Sequence, residues 1–424
     1  MRAMKIMNLR CSLAAVVLVA VLIGNAAYAN SNVLRVSAVP STFSKAFRAL
    51  ASAFERENPD VRIGLDVSQI DQPAIMRQTL RMAIFGDLPD VSFQGSNYLR
   101  LLADRNVLIP LDRFMNADPA WNPQLYSPSV ASVGRIGNTT YGLGVGMSFP
   151  IVFYNKALVS KVQEGAGSLP ANWDGVLDVA ARIQSENSQV LGIFSEYNSF
   201  MFQGMVGCFG GFMMNSDDSR VTFTEGAGQK AMELLRRIGL AGQAKVDMTK
   251  SQSRQAFTGG RIAILLDSSS SLASFENEVA GRFEIGTAPL PVIESDASLP
   301  TAGITAVMHT TDPARQALAW RFMKFVTGVE GQTVVATATG YVPANEAAIA
   351  QPGSLADYYA AHPTMQAALR SIPRSRGWYA FPGENAGQID MMIEDRVGEV
   401  MRLRQLPVPA LDRLAKDISA LLPK

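Results

Sequence analysis

The stretch LRVSAVPSTFSKAFRALASAFERENPDVRIGLDVS, residues 34–68, decides the fold. Leu34, Val36 and Ala38 alternate with polar neighbours, as in a strand with one buried face. Pro40-Ser41-Thr42 then offers capping chemistry for a helix in which Phe43, Phe47, Leu50, Ala51 and Phe54 form one apolar stripe. Pro59 lies just past its end, and Val61, Ile63, Leu65 and Val67 alternate again as a second strand. A further helical segment around residues 73–84 leads to a third strand at Pro89-Asp90-Val91-Ser92-Phe93. Strand and helix alternating in this way predict an α/β domain with a mostly parallel sheet, which binds ligands at the carboxyl ends of its strands. The loops at those ends, residues 39–44, 68–71 and 94–97, are rich in small hydroxyl and amide side chains.

The same alternation returns in the second half. A helix is predicted over residues 174–183, a strand over 262–266 and a helix opening at Asp312-Pro313, where aspartate caps and proline takes the first turn. A final helix places Ile389, Ile393, Val397 and Val400 on one face. Between the halves, Tyr141-Gly142-Leu143-Gly144-Val145-Gly146 precedes an apolar strand, residues 151–154, and reads as backbone crossing from one lobe to another. Its glycines lack the strand, helix and acidic residue of a dinucleotide fingerprint. With 424 residues the chain exceeds the roughly 250–300 that one core usually supports, so two domains are expected.

Arg2, Lys5 and Arg10, the apolar run from Cys11 to Ile23 and Ala27-Tyr28-Ala29 have the three parts of a secretory signal, with cleavage after Ala29. That run falls well short of the roughly 20 residues that cross a bilayer. Export to the periplasm is therefore expected. The formal charge of +1 (38 against 37) becomes −2 (35 against 37) once three basic residues leave with the signal. Such a balance gives no basis for nucleic-acid binding, which draws on a concentrated basic excess. Only Cys208 remains after processing, so no disulfide is expected within the mature chain.

Catalytic chemistry is sparse. The only histidines are His309 and His362, neither with a partner at useful spacing, and no zinc, nucleophile-elbow or phosphate-loop motif occurs. Glu394-Asp395 is a carboxylate pair, but adjacent positions on a helix diverge, whereas glycoside hydrolysis needs two carboxyl groups facing across one bond. No cofactor or metal is expected. A secreted hydrolase with acid and base from distant segments is the rival to a binding protein.

Several local patterns occur in a telling order: Asn155-Lys156 after a strand, Asn172-Trp173-Asp174 opening a helix, Phe257-Thr258-Gly259-Gly260-Arg261 before Asp267-Ser268-Ser269-Ser270, and Thr339-Gly340-Tyr341-Val342-Pro343. Together they resemble the extracellular solute-binding proteins of carbohydrate ABC importers, the glycerol-3-phosphate-binding branch above all. The resemblance implies a two-lobed periplasmic-binding-protein fold with three hinge crossings, near residues 141–146, 287–299 and 341–345. It implies residues 1–29 as signal peptide, 30–144 with 299–342 as lobe 1, and 145–298 with 343–424 as lobe 2. The implied partners are a small-molecule solute and the transmembrane subunits of a permease, with the protein acting as a monomer.

Carried over residue by residue, the resemblance implies ligand contacts at Ser148, at Ser268 or Ser269, at Gly303 and at Tyr341. Two positions depart from it. Neutral Gln94-Gly95-Ser96 replaces an expected acid, which makes Gln94 and Ser96 the candidates there, and the arginine expected just before Asn385 is missing. Arg374 and Arg376 lie upstream, and Arg376 is the candidate substitute. Phe149 and Trp378 add aromatic faces on which a sugar ring could stack. Without the missing arginine, a neutral sugar or sugar alcohol is expected to bind better than glycerol-3-phosphate. A glycerophosphodiester or another anionic glycoside is the alternative.

Overall fold

The protein, seen in a computed structural model, is described over residues 32–38, 43–69, 71–126, 128–163, 167–350 and 355–423. The signal-like segment and most of the loop after the first strand lie outside the described residues. Strand β1 (Val33–Ser37) is followed by α1 (Ser44–Glu57), whose predicted stripe is its buried face: Phe47, Leu50, Ala51 and Phe54 are all inside. β2 (Arg62–Asp66) leads to α2 (Gln72–Ile84), which starts where the Asp71 carboxylate accepts from the Ala74 N–H with Pro73 in the first turn. β3 (Val91–Gly95) is buried throughout and leads, past a single turn, into α3 (Leu99–Asp104).

The chain then builds β4 (Gly142–Ser148) and β5 (Pro150–Asn155), α4 (Trp173–Glu186), β6 (Leu191–Ser195), α5 (Ser199–Cys208), α6 (Gly226–Ile238), α7 (Lys250–Thr258), β7 (Ile262–Ser268), α8 (Leu272–Val279) and β8 (Ile285–Pro289). It continues with β9 (Leu299–Met308), α9 (Pro313–Thr327), α10 (Val329–Ala338), β10 (Ser375–Gly377), α11 (Ala386–Met401) and α12 (Pro407–Ser419). α9 opens as predicted, on the Asp312 cap and Pro313. α11 buries Ile389, Ile393, Val397 and Val400 as predicted, but it is not last: α12 follows, with Leu411, Leu414 and Ile418 on its buried face.

Two sheets organise two lobes. The first has the order β10-β9-β3-β1-β2 with β4 also paired to β9, and the second has the order β8-β5-β7-β6. The first is mostly parallel as predicted, at three of its five pairings; the second, at one of three, is not. β1 runs parallel to β2 and β3, but β9 is antiparallel to β3 and β4, and in the second sheet only β6 and β7 are parallel. The physical reason is connectivity. Parallel neighbours need a covering helix between them, whereas β5 and β9 arrive directly from the other lobe and can enter against the local direction. Each sheet has its own apolar core, one holding Phe47, Phe93 and Phe322, the other Phe153, Phe257 and Phe275.

The glycine-rich segment predicted as a crossing is instead strand β4, in register with β9 through Ser148. The first crossing is a single residue, Phe149, between β4 in one sheet and β5 in the other. Residues 290–298 link β8 to β9 inside the second predicted span. At the third, Tyr341 packs in the first core while Val342 packs in the second and bridges Met147. β10 adds a brief visit to the first sheet, parallel to Leu299–Thr301 of β9.

Candidate functional site

A cavity of about 880 Å³ opens between the lobes. Lobe 1 contributes the start of α2, Gly95, Asn97 and Tyr98 after β3, Ser148 at the end of β4, Ala302 and Gly303 of β9, and Tyr341. Lobe 2 contributes Asn198, Ser199 and Phe200 at the start of α5, Lys250 and Arg254 of α7, the serines after β7, Trp378, and one side of α11. The carboxyl ends of β3, β4 and β7 all face it, as the rule for such sheets requires.

Of the residues singled out in the sequence, Ser148, Ser268, Gly303, Tyr341 and Trp378 meet on this cleft. Ser268 shares a hydrogen bond with the Ser270 hydroxyl at 2.9 Å. The Tyr341 ring packs against Phe43 at 4.9 Å between centroids, and its hydroxyl lies near that of Ser270, so it stands where the two lobes' contributions meet. At Gly303 a side chain would press on the Gly146 carbonyl, its Cβ only 3.0 Å away, which explains the residue without reference to a ligand. Trp378 is half-buried, tilted against Phe200 at 5.2 Å, with its indole N–H unpartnered.

The other five sit elsewhere. Gln94 is fully buried inside lobe 1, donating to Thr79 Oγ1 at 2.9 Å and to Ser92 Oγ at 2.8 Å. Ser96 lies between the cleft residues Gly95 and Asn97 but is not itself on the wall. Phe149 is wholly inside the crossing. Ser269 pins that crossing: its Oγ accepts from the Phe149 N–H at 3.1 Å and its own N–H donates to the Phe149 carbonyl at 2.8 Å. Arg376 stacks over the Phe212 ring at 4.0 Å in a separate cavity of about 740 Å³ on lobe 2, and Arg374 donates to the carbonyls of Ser295 and Ala297. β10 causes this: pairing with β9 turns the two arginines away from the cleft.

The cleft's charges came from segments the sequence reading passed over. Arg254 grips Asp267 through two hydrogen bonds of 2.7 and 2.9 Å, and Lys250, one turn earlier, donates to Glu196 at 2.9 Å. Asn198 donates to the same Glu196 oxygen at 2.7 Å. Burial opposes ionisation of Asp267, and the Arg254 guanidinium overrides it, holding that carboxyl below the usual range. Burial, with Asp267 nearby, pushes Glu196 up. Across from them Asp390 of α11 is pushed up to about 6 by burial, against the pull of a hydrogen bond from Ser199 and with repulsion from Glu394. Asn198 and Ser199 follow β6, so the strand-end rule would have found them; Lys250, Arg254 and Asp390 sit in helices and carry no such signal.

Away from the cavity, the lobes also meet through charge. Arg100 of α3 pairs with Asp218 of lobe 2 at 2.7 Å, and Tyr379 donates to the other Asp218 oxygen at 2.7 Å. Arg105, just past α3, pairs with Glu384.

Two α/β lobes around one hydroxyl-lined cleft define a protein that captures a solute. Residues 49–367 match the bacterial extracellular solute-binding proteins, and the chain belongs to that family. It is 22% identical over 401 residues to the sn-glycerol-3-phosphate-binding periplasmic protein UgpB of Escherichia coli K12, covering 88% of each chain. Among solved structures it resembles UgpB from Mycobacterium tuberculosis in complex with glycerophosphocholine, with a TM-score of 0.79, 21% identity and coverage of 92% of this chain and 98% of that one. It also resembles the GacH receptor of Streptomyces glaucescens, solved unliganded and with acarbose, with a TM-score of 0.77, 19% identity and the same coverage.

Proposed function

We propose that the protein holds a sugar, sugar alcohol or related polyhydroxy solute between its lobes without turning it over, and delivers it to the transmembrane subunits of an ABC importer. It acts as a monomer outside the cytoplasm after loss of residues 1–29, its lobes dividing close to the boundaries given above. One observation carries the choice of ligand: the cleft's Lys250 and Arg254 are already engaged by the buried carboxylates of Glu196 and Asp267, and Arg374 and Arg376 point elsewhere. A phosphate monoester needs charge-assisted partners, and at the lobe 2 end of the cleft its arrival would have to disrupt existing pairs. Hydroxyls need only the donors and acceptors that Ser148, Ser268, Ser270, Ser271 and Ser274 supply, with Trp378 and Phe200 as apolar faces.

The second reading is a glycerophosphodiester. It is favoured by the relative seen with glycerophosphocholine and by Arg77, exposed on the cleft wall. Calorimetry with a panel of sugars, polyols, glycerol-3-phosphate and glycerophosphodiesters separates the readings, and following product formation in the same samples tests for a hydrolase. Tight binding of the phosphate compounds alone would overturn the first reading, and sustained product release would overturn binding without turnover.

A further inference from the structure

Asp390 has no counterpart to the pairing seen at Lys250 and Arg254. Among the described residues it forms no ion pair with Lys, Arg or His, and the nearby Ser199 hydroxyl favours its ionised form. At the lobe 2 end of the cleft Lys250 and Arg254 are thus paired by protein and this carboxylate is not, while among the described residues Arg77 on the lobe 1 wall is a cleft cation with no ion pair. The surroundings are aromatic. Ser199, close to Asp390, precedes Phe200; Phe200 packs on Trp378; and Tyr98 of the opposite lobe lies within electrostatic reach of the carboxylate. All five residues line the same cavity. A carboxylate that shares a cavity wall with aromatic rings suits a cation, which gains from both the charge and the ring quadrupoles.

We propose that Asp390 binds a protonated amino group, so that the solute is a polyhydroxy compound bearing an amine, such as an amino sugar or amino alditol. The inference rests on the reading of the cleft as a polyhydroxy-solute site and adds one positive charge to that solute. Neutral hydroxyls have the serines of lobe 2; the amine takes the wall formed by α11 and the start of α5.

The experiment compares matched solutes that differ only in an amino group for a hydroxyl: glucosamine with glucose, galactosamine with galactose, and glucamine with sorbitol. Calorimetry on the wild-type protein is expected to show at least one amine bound tenfold or more tighter than its hydroxyl partner. Asp390→Asn keeps the side-chain shape, and it is expected to reduce that preference to within about twofold. A second readout needs no variant. The preference in the wild type should shrink as pH falls below about 6, where Asp390 takes up a proton. The groups facing it are Ser199, Tyr98 with Asp71 and Arg77 behind it, and Glu394 on its own helix with Lys250 beyond; none is a histidine that would titrate in that range. Equal affinity for both members of every pair, or a preference that survives Asp390→Asn and acidification, overturns the inference and leaves the polyhydroxy reading standing. Failure of every member of every pair to bind overturns both.

Discussion

In lobe 1 the wall of the cleft is backed by neutral groups linking α2, β3 and the end of β9. The Val107 carbonyl can only accept, so His309 Nδ1 carries the proton at 2.7 Å; Nε2 then accepts from the Ser92 hydroxyl at 2.7 Å, which accepts in turn from Gln94. In lobe 2 the equivalent position is ionic: Arg254, Asp267, Lys250 and Glu196 bind α7 to the ends of β6 and β7. Both networks fix strand ends against a helix so that cleft groups are held in place. The difference lies in what each tolerates. A neutral chain loses hydrogen bonds one at a time, whereas an ionic one leaves an uncompensated buried charge when a single member is removed.

The sharpest way to break this contrast is Arg254→Met, which strands Asp267 in the interior and is expected to cost about 3–5 kcal/mol in denaturant unfolding. A loss below about 1 kcal/mol would mean that the two networks are equivalent. The neutral network has a pH signature of its own. Burial depresses His309 to about 4, although its bond to Val107 pulls upward. Its contribution is therefore fully present above the unfolded value of about 6.5 and is lost as pH falls through about 4, with a limit of roughly 3 kcal/mol. Because Asp390 and Glu196, with raised values, titrate in the opposite sense, the check is the difference between wild type and His309→Gln across that window, which should grow smaller toward acid.

Gln94→Met removes two neutral hydrogen bonds and is expected to cost about 1–3 kcal/mol while changing solute Kd less than twofold, since this side chain stands behind the wall. A large change in Kd with unchanged stability would place it in the site after all. The smallest stability effect is expected at Arg100→Ala. Its pair with Asp218 is partly exposed and worth under about 1 kcal/mol, but it spans the lobes, so small-angle scattering of the solute-free protein should show a larger radius of gyration.

The helices and strands were legible because their apolar periods were clean, as in α1 and α11. Sheet direction was not, because alternation of strand and helix says nothing about strands such as β5 and β9 that arrive from the other lobe. Ser148 and Ser268 came from the family resemblance, and both stand at strand ends on the cleft. Arg376 could not be placed, since a three-residue strand, too short to leave a pattern, decides which way it faces. Phe149 shows the same limit: an aromatic residue in a crossing looks like a ligand platform until both flanking strands are known to bury it.

That crossing also sets how the cleft can gauge its contents. One residue, clamped on both sides by Ser269, leaves no slack for the lobes to slide, so closure there is confined to rotation about a nearly stationary pivot. Points beside a pivot barely move, and points far from it sweep the widest arc. On the proposed function, Ser148 and Ser268, next to the clamp, would act as the fixed jaw of a caliper, reading one end of the solute at constant spacing, while groups farther out would settle wherever the solute's length stops them.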